Sequence, residues 1–192
     1  ICKVNSKTNF LKDCDKIIHL AGIGDIVPSI NFPKKYFKVN LEGTLNLLEY
    51  FKNKNIKKFV YAASSSCYGK AKTPTNENAN IETLYPYAMS KYLGEQTCFH
   101  WSKVYKIPVN SIRIFNAYGP RSKTSGAYGA VMGVFLKQIL MNEKLTIVGN
   151  GKQKRDFLYV TDVAEAFYKA ANTSLTNQKW NLGFGKAYSV NA

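Results

Sequence analysis

The apolar positions along the chain change period several times, and each change marks an element. "DKIIHLAG" (15–22) is a short apolar run closed by glycine, the pattern of a buried strand followed by a loop. Over 33–53, Phe37, Leu41, Leu45 and Leu48 recur at helical spacing behind a proline suited to a first turn. "KKFVYAASSS" (57–66) reads as a strand that runs out into small hydroxyl residues. A loop leads to a long helix over 86–106, and "VNSIRIF" (109–115) is the next strand. The remainder alternates in the same way: a helix near 128–142, a short strand "LTIVG" (145–149), a helix over 161–171 and a strand "QKWNLGFG" (178–185). Elements of these lengths in this order predict an α/β fold, with a mostly parallel sheet covered by helices on both faces. Such sheets bind ligands beyond the carboxyl ends of their strands. Three expected strand ends carry polar or glycine residues there: "HLAG", "ASSS" and "RIFNAYG".

Composition changes this picture little. A chain of 192 residues, 45% hydrophobic and 20% charged, has the length of one domain and the makeup of an ordinary globular protein. No apolar run reaches the roughly 18 residues that a membrane-spanning helix needs. The net charge of +15 comes from 24 lysines against 3 arginines, scattered along the whole sequence. A nucleic-acid site would gather its cations into a patch with interleaved aromatics. The charge therefore reads as a solvated surface that attracts anionic small molecules such as nucleotides. Cys2, Cys14, Cys67 and Cys98 have neither zinc-ligand nor disulfide-framework spacing, and free thiols fit a reducing cytoplasm. Two histidines far apart in sequence give no metal centre. No secretory signal opens the sequence, and Ile1 is no natural initiator, so the chain is expected to begin inside a longer protein.

The candidate chemistry centres on "PYAMSK", where Tyr87 and Lys91 share a helix face at i and i+4. That pair is either an acid–base device or plain surface. Its companions decide how to read it. "HLAG", "VNLEGTLNLLE", "ASSSCYG", "YPYAMSK", "RIFNAYGP" and "RDFLYVTDVAEAF" occur in an order and spacing that resemble the extended short-chain dehydrogenases/reductases. Within them the pattern is that of the NAD-dependent nucleotide-sugar epimerases and dehydratases, most like the UDP-glucose 4-epimerases.

The resemblance implies a Rossmann-like, doubly wound sheet truncated at both ends. Residues 1–120 and 157–185 would belong to the NAD-binding domain with its first βαβ unit absent, 121–156 to the substrate-binding region, and 186–192 to the start of a C-terminal part. The family's Gly-x-x-Gly-x-x-Gly phosphate loop does not occur, and Gly22 and Gly24 do not supply it; Ile1 would lie about sixty residues into the domain.

The resemblance also implies roles. Tyr87 would be the catalytic base, its ordinary pKa near 10 lowered by the Lys91 ammonium and the nicotinamide charge. Ser64, four residues before Tyr68, would bond the reacting sugar oxygen. Related sugar 4,6-dehydratases carry Asp-Glu, or at least Glu, where Ser65 and Ser66 stand, so water elimination lacks its acid and base here. Cys67 is one position out of register with the cysteine of the GDP-fucose synthase type and reads as a packed residue. Leu20, Ala21, Gly22, Asn40 and the backbone at Ala62 would meet NAD, together with Tyr87 and Lys91; Asn40 could equally bond its own surroundings. Ser64, Ser65, Asn116, Tyr128, Thr146, Val148 and Arg155 would meet a UDP-sugar, with an ion pair to Asp156 or another carboxylate as the alternative for the arginine. The implied activity is C4 epimerisation, an isomerase step in nucleotide-sugar metabolism and polysaccharide synthesis, by a homodimer joined through the helices at 33–53 and 86–106. The alternatives are another nucleotide-sugar oxidoreductase or dehydratase, or a non-catalytic dinucleotide-binding relative.

Overall fold

The structure, a computed structural model, describes residues 1–5, 7–124 and 131–191. In chain order, β1 (Lys16–His19) leads through a loop to α1 (Ile26–Asn31) and α2 (Pro33–Tyr36). A π-helical stretch (Phe37–Glu42) joins α2 to α3 (Gly43–Phe51) without a break. Next come β2 (Lys58–Ser64), a short 3-10 turn (Ser65–Tyr68), the long α4 (Pro86–Tyr105), β3 (Val109–Ile114) and β4 (Asn116–Tyr118). The chain closes with α5 (Val131–Leu140), β5 (Lys154–Tyr159), α6 (Val160–Asn172), β6 (Gln178–Leu182) and β7 (Ala187–Ser189).

Four strands form one parallel sheet in the order β1-β2-β3-β6. Alternation along β2 divides the core between its two faces, as a period of two requires. Phe59, Tyr61 and Ala63 pack with Leu48 and Phe51 of α3 and Cys98 of α4, while Val60 and Ala62 pack with Phe167, Ala170 and Ala171 of α6. This is the doubly wound, mostly parallel α/β sheet that the sequence predicts. Beyond its carboxyl ends, β4 pairs parallel with β5, and β5 antiparallel with β7, as a second small sheet.

Two elements differ from expectation. "LTIVG" forms no strand: Leu145, Ile147 and Val148 are exposed, and β-branched residues without a partner strand have no ladder to join. The strand of this region is β5, which bonds on both sides and straddles the domain boundary expected at 156/157. The helix expected over 33–53 ends at Phe51 and widens to π geometry around Asn40, and α1 precedes it. Of the helix expected near 128–142, the described part is α5; Tyr128 lies outside the described residues. Among the described residues, no helix is long and apolar enough to cross a membrane.

Candidate active site

β2 ends at Ser64, whose extended backbone turns into the 3-10 segment. The Ser64 hydroxyl accepts from the Ser66 N–H at 3.2 Å and lies 2.8 Å from the Ser66 hydroxyl. The serine that runs out of the strand thus caps the next turn and stays half-buried at the sheet's carboxyl edge. Opposite it, Pro86 occupies the first turn of α4, where its missing N–H costs nothing, and brings Tyr87 into the same cleft. The Tyr87 ring packs edge-on to Tyr36, with centroids 6.3 Å apart.

The electrostatics refine the expected roles. Burial pushes the Tyr87 hydroxyl above its ordinary pKa; a hydrogen bond with Ser64 pulls it down, while Asp25 and Tyr36 push it up. Of the influences on the Tyr87 hydroxyl, the Ser64 hydrogen bond is the one that favours phenolate. Lys91 is 7% exposed, and its ammonium sits 4.5 Å from the centre of the Tyr61 ring. Burial lowers its pKa to about 8, against the raising influence of Cys98 and Glu95.

The first residues expected to meet the dinucleotide follow the carboxyl end of β1. Leu20, Ala21 and Gly22 are exposed there, Leu20 at 60%. A Cβ added at Gly22 would stand 3.0 Å from Asn40 Oδ1 and 3.6 Å from Lys91 Nζ. A side chain at this position would crowd the Asn40 amide, with the Lys91 ammonium just beyond, so the close approach favours glycine. Asn40 is buried and fully engaged: its Oδ1 accepts from the Ile23 N–H at 2.8 Å, and its Nδ2 donates to the Ile23 carbonyl and the Ser90 hydroxyl, both at 3.0 Å. It bonds its own surroundings, holding the "HLAG" loop against α4. The π-helical widening at this residue is a geometry frequent at functional sites. The Ala62 side chain packs with Phe167, Ala170 and Ala171 of α6. His19, buried below, meets the Thr44 hydroxyl at 2.9 Å, and burial, with Lys91 nearby, lowers its pKa to about 3.

A cleft of about 790 Å3 is lined by Ser64, Ser65, Tyr87, Asn116 and Arg155, so the structure gathers five of the expected site residues. Asn116 is tied by its Nδ2 to the Asp156 carbonyl at 3.0 Å. Arg155 donates to the Lys154 carbonyl at 2.8 Å, and among the described residues no carboxylate pairs with it. Asp156 is occupied by the N–H groups of Phe184 and Gly185, at 2.7 and 2.8 Å. Asp25, the other carboxylate on the cleft wall, is paired with Lys123. Thr146 and Val148 are exposed outside this cleft; Thr146 bonds Gln138 twice, and the Val148 carbonyl accepts from Gln153. Cys67 is buried, and burial raises its thiol to about 11, so it is a packed thiol rather than a nucleophile. Among the described residues, no group of three or more His, Cys, Asp or Glu gathers to hold a metal.

Sequence reasoning missed Asp25, Lys123, Glu95 and Arg113. The last two carried a signal: Glu95 continues the four-residue step from Tyr87 and Lys91, and Arg113 interrupts an apolar strand.

Known proteins resemble this chain over most of its length. Residues 1–183 match the model of the NAD dependent epimerase/dehydratase family. A Methanocaldococcus jannaschii protein provisionally named UDP-glucose 4-epimerase is 37% identical over 190 residues, covering 98% of this chain and 61% of its own length. A UDP-N-acetyl-alpha-D-glucosaminuronate decarboxylase of Bacillus cytotoxicus is 32% identical over 185 residues, 93% of this chain and 57% of its own length. The solved UDP-N-acetylglucosamine 4-epimerase of Methanobrevibacter ruminantium M1, in complex with UDP-N-acetylmuramic acid, superposes with a TM-score of 0.91 at 33% identity. It covers 95% of this chain and 59% of that one. The chain thus spans about three fifths of the length of these relatives. With the match running over nearly all of the sheet, both helical layers and the cleft, the chain belongs to the NAD dependent epimerase/dehydratase family.

Proposed function

We propose that this chain carries the catalytic residues of an NAD-dependent UDP-sugar 4-epimerase. The observation that carries the reading is the single cleft in which Ser64 and Tyr87 face Asn116 and Arg155. A proton-handling pair stands at one part of its wall and a guanidinium suited to a diphosphate at another. When bound, NAD supplies a hydride acceptor for C4 and a positive ring charge beside the phenol.

The remaining work belongs to the chain. Tyr87 Oη takes the proton of the C4 hydroxyl and later returns it, and Ser64 Oγ bonds the same oxygen through both half-reactions. Lys91, with the loop at Leu20, Ala21 and Gly22 and the Ala62 backbone, holds the dinucleotide, while Asn40 fixes that loop. Asn116, Arg155 and Ser65 hold the UDP-sugar, and Tyr128, Thr146 and Val148 are assigned to the uridine side. Between the half-reactions the 4-keto sugar turns over and presents its other face. Two features favour epimerisation over elimination: hydroxyls at Ser65 and Ser66, and cleft carboxylates already engaged by Lys123 and by backbone N–H groups. A homodimer joined through α3 and α4 completes the reading, and sedimentation of the full-length protein checks it.

The deciding experiment follows UDP-glucose and UDP-N-acetylglucosamine by proton NMR with full-length protein, without and then with added NAD. Appearance of the C4 epimer with no net NADH is the expected result. A 6-deoxy-4-keto product or loss of carbon dioxide from a uronate would replace the reading by a dehydratase or a decarboxylase.

A further inference from the structure

The most heavily bonded side chains in the structure lie outside the roles given so far. Arg113 and Glu95 are each 1% exposed. Arg113 Nε donates to both Glu95 oxygens at 3.1 Å, and Nη2 donates to Oε2 at 2.6 Å. The Ser111 hydroxyl completes the carboxylate at 2.7 Å. The last guanidinium nitrogen, Nη1, turns away from the pair: it donates to the Tyr68 hydroxyl at 2.7 Å and to the Glu77 carbonyl at 3.4 Å. The Tyr68 hydroxyl in turn donates to Asn181 Oδ1 at 2.7 Å. The Asn181 N–H and amide then bond Glu77 Oε1 and the Thr75 carbonyl, at 2.8 and 3.0 Å.

Each branch ends on something the chemistry uses. Glu95 lies on α4 one turn past Lys91 and two past Tyr87, on their face. Tyr68 closes the 3-10 turn that Ser64 caps. Thr75 belongs to the connection from Gly69 to Tyr85, whose residues Gly69, Ala71, Thr73 and Thr75 form one wall of the cleft. Net stability is a weak reason for such a pair, because desolvation of a buried ion pair offsets most of its attraction and an apolar pair would serve as well. What an apolar pair cannot do is point two directional bonds at the carboxylate and another at the turn.

We propose that Arg113 and Glu95 are positioning residues, which hold the catalytic helix, the serine turn and the cleft wall in one register so that the Ser64 hydroxyl meets the Tyr87 phenol. The proposal rests on the proton-handling roles assigned above to Ser64 and Tyr87. The downward pull of the Ser64 hydrogen bond on the Tyr87 pKa agrees with it.

Tyr68→Phe tests it in the full-length, NAD-loaded protein, because it keeps the ring and the ion pair and removes the hydroxyl through which Arg113 and Asn181 are tied to the turn. The first readout needs no turnover: the phenolate transition of Tyr87, taken as the ultraviolet difference between each protein and its Tyr87→Phe counterpart. The second is the pH profile of kcat and KM for whichever nucleotide sugar is turned over. The expected result is a Tyr87 transition moved to higher pH, kcat lower by on the order of tenfold, and KM nearly unchanged. Ser64→Ala should then cost less in the Tyr68→Phe background than alone. A Tyr87 transition and a kcat equal to wild type, with only the melting temperature lowered, would overturn the proposal and leave the network structural. If the wild-type protein turns over no nucleotide sugar, the proposed function fails on its own, and the Tyr87 transition still decides the positioning: a shift supports it, and none overturns it.

Discussion

His19 shows how burial fixes the chemistry of one side chain. With its pKa lowered from 6.5 to about 3, the folded protein keeps the ring neutral over a range in which the unfolded chain binds a proton. The contribution is therefore complete above pH 6.5 and is lost as pH falls toward 3, at about 1.4 kcal/mol per pH unit. His19→Gln should flatten the acid side of the melting-temperature curve over that window, and an unchanged slope would place the acid sensitivity in other groups. Arg155 makes the opposite case, a cation whose described hydrogen bond is to a neighbouring backbone carbonyl. Hydrogen bonds to charged groups contribute about 1.5–3 kcal/mol, so Arg155→Met should raise KM for a UDP-sugar roughly ten- to a hundredfold while kcat holds. Steady-state kinetics would reveal a different diphosphate anchor if KM stayed put.

At the scale of elements, α4 is the informative one. Its buried face is Ala88, Ser90, Lys91, Gly94, Glu95, Cys98 and Ser102, small and polar rather than apolar, because the helix lies close against Tyr61 of β2 and Asn40 of the π-helical stretch. A Cβ at Gly94 would stand 2.3 Å from the Tyr61 hydroxyl, itself bonded to the Lys91 carbonyl at 3.3 Å. Gly94→Ala should cost about 1–3 kcal/mol by overpacking and lower kcat by displacing Lys91; denaturant titration beside kinetics separates the two effects. Hydrophobic periodicity could not show this face, and the helix was legible through its proline, its Tyr–Lys step and the motifs around it. β2 was legible because both of its faces are buried and it reads as a continuous apolar run. The "LTIVG" segment misled for the converse reason: β propensity records a fit to a neighbouring strand, and Leu145, Ile147 and Val148 have none. Ser64, Tyr87, Asn116 and Arg155 could be named from motifs, but the Asp25–Lys123 and Glu95–Arg113 pairs join segments that only the fold brings together.

For the whole molecule, the Glu95–Arg113 network joins α4, β3, β6, the 3-10 turn and the cleft wall. Arg113→Ala should therefore lose about 3–5 kcal/mol, as removal of one partner from a buried pair does, and should do so as one cooperative transition in calorimetry. A small loss confined to the cleft loop would mean that these parts unfold separately. The same strand also carries a mechanical consequence. Phe115 alone separates β3 from β4, and its N–H is pinned to the Leu182 carbonyl at 3.0 Å. Arg113 and Asn116 therefore stand three residues apart across the junction of the two sheets, one in the network that ties α4 to the 3-10 turn and the other in the wall of the cleft. On the proposed function, a sugar nucleotide held by Asn116 would pull on the strand that leads into that network, so poorly fitting substrates should lose turnover as much as affinity.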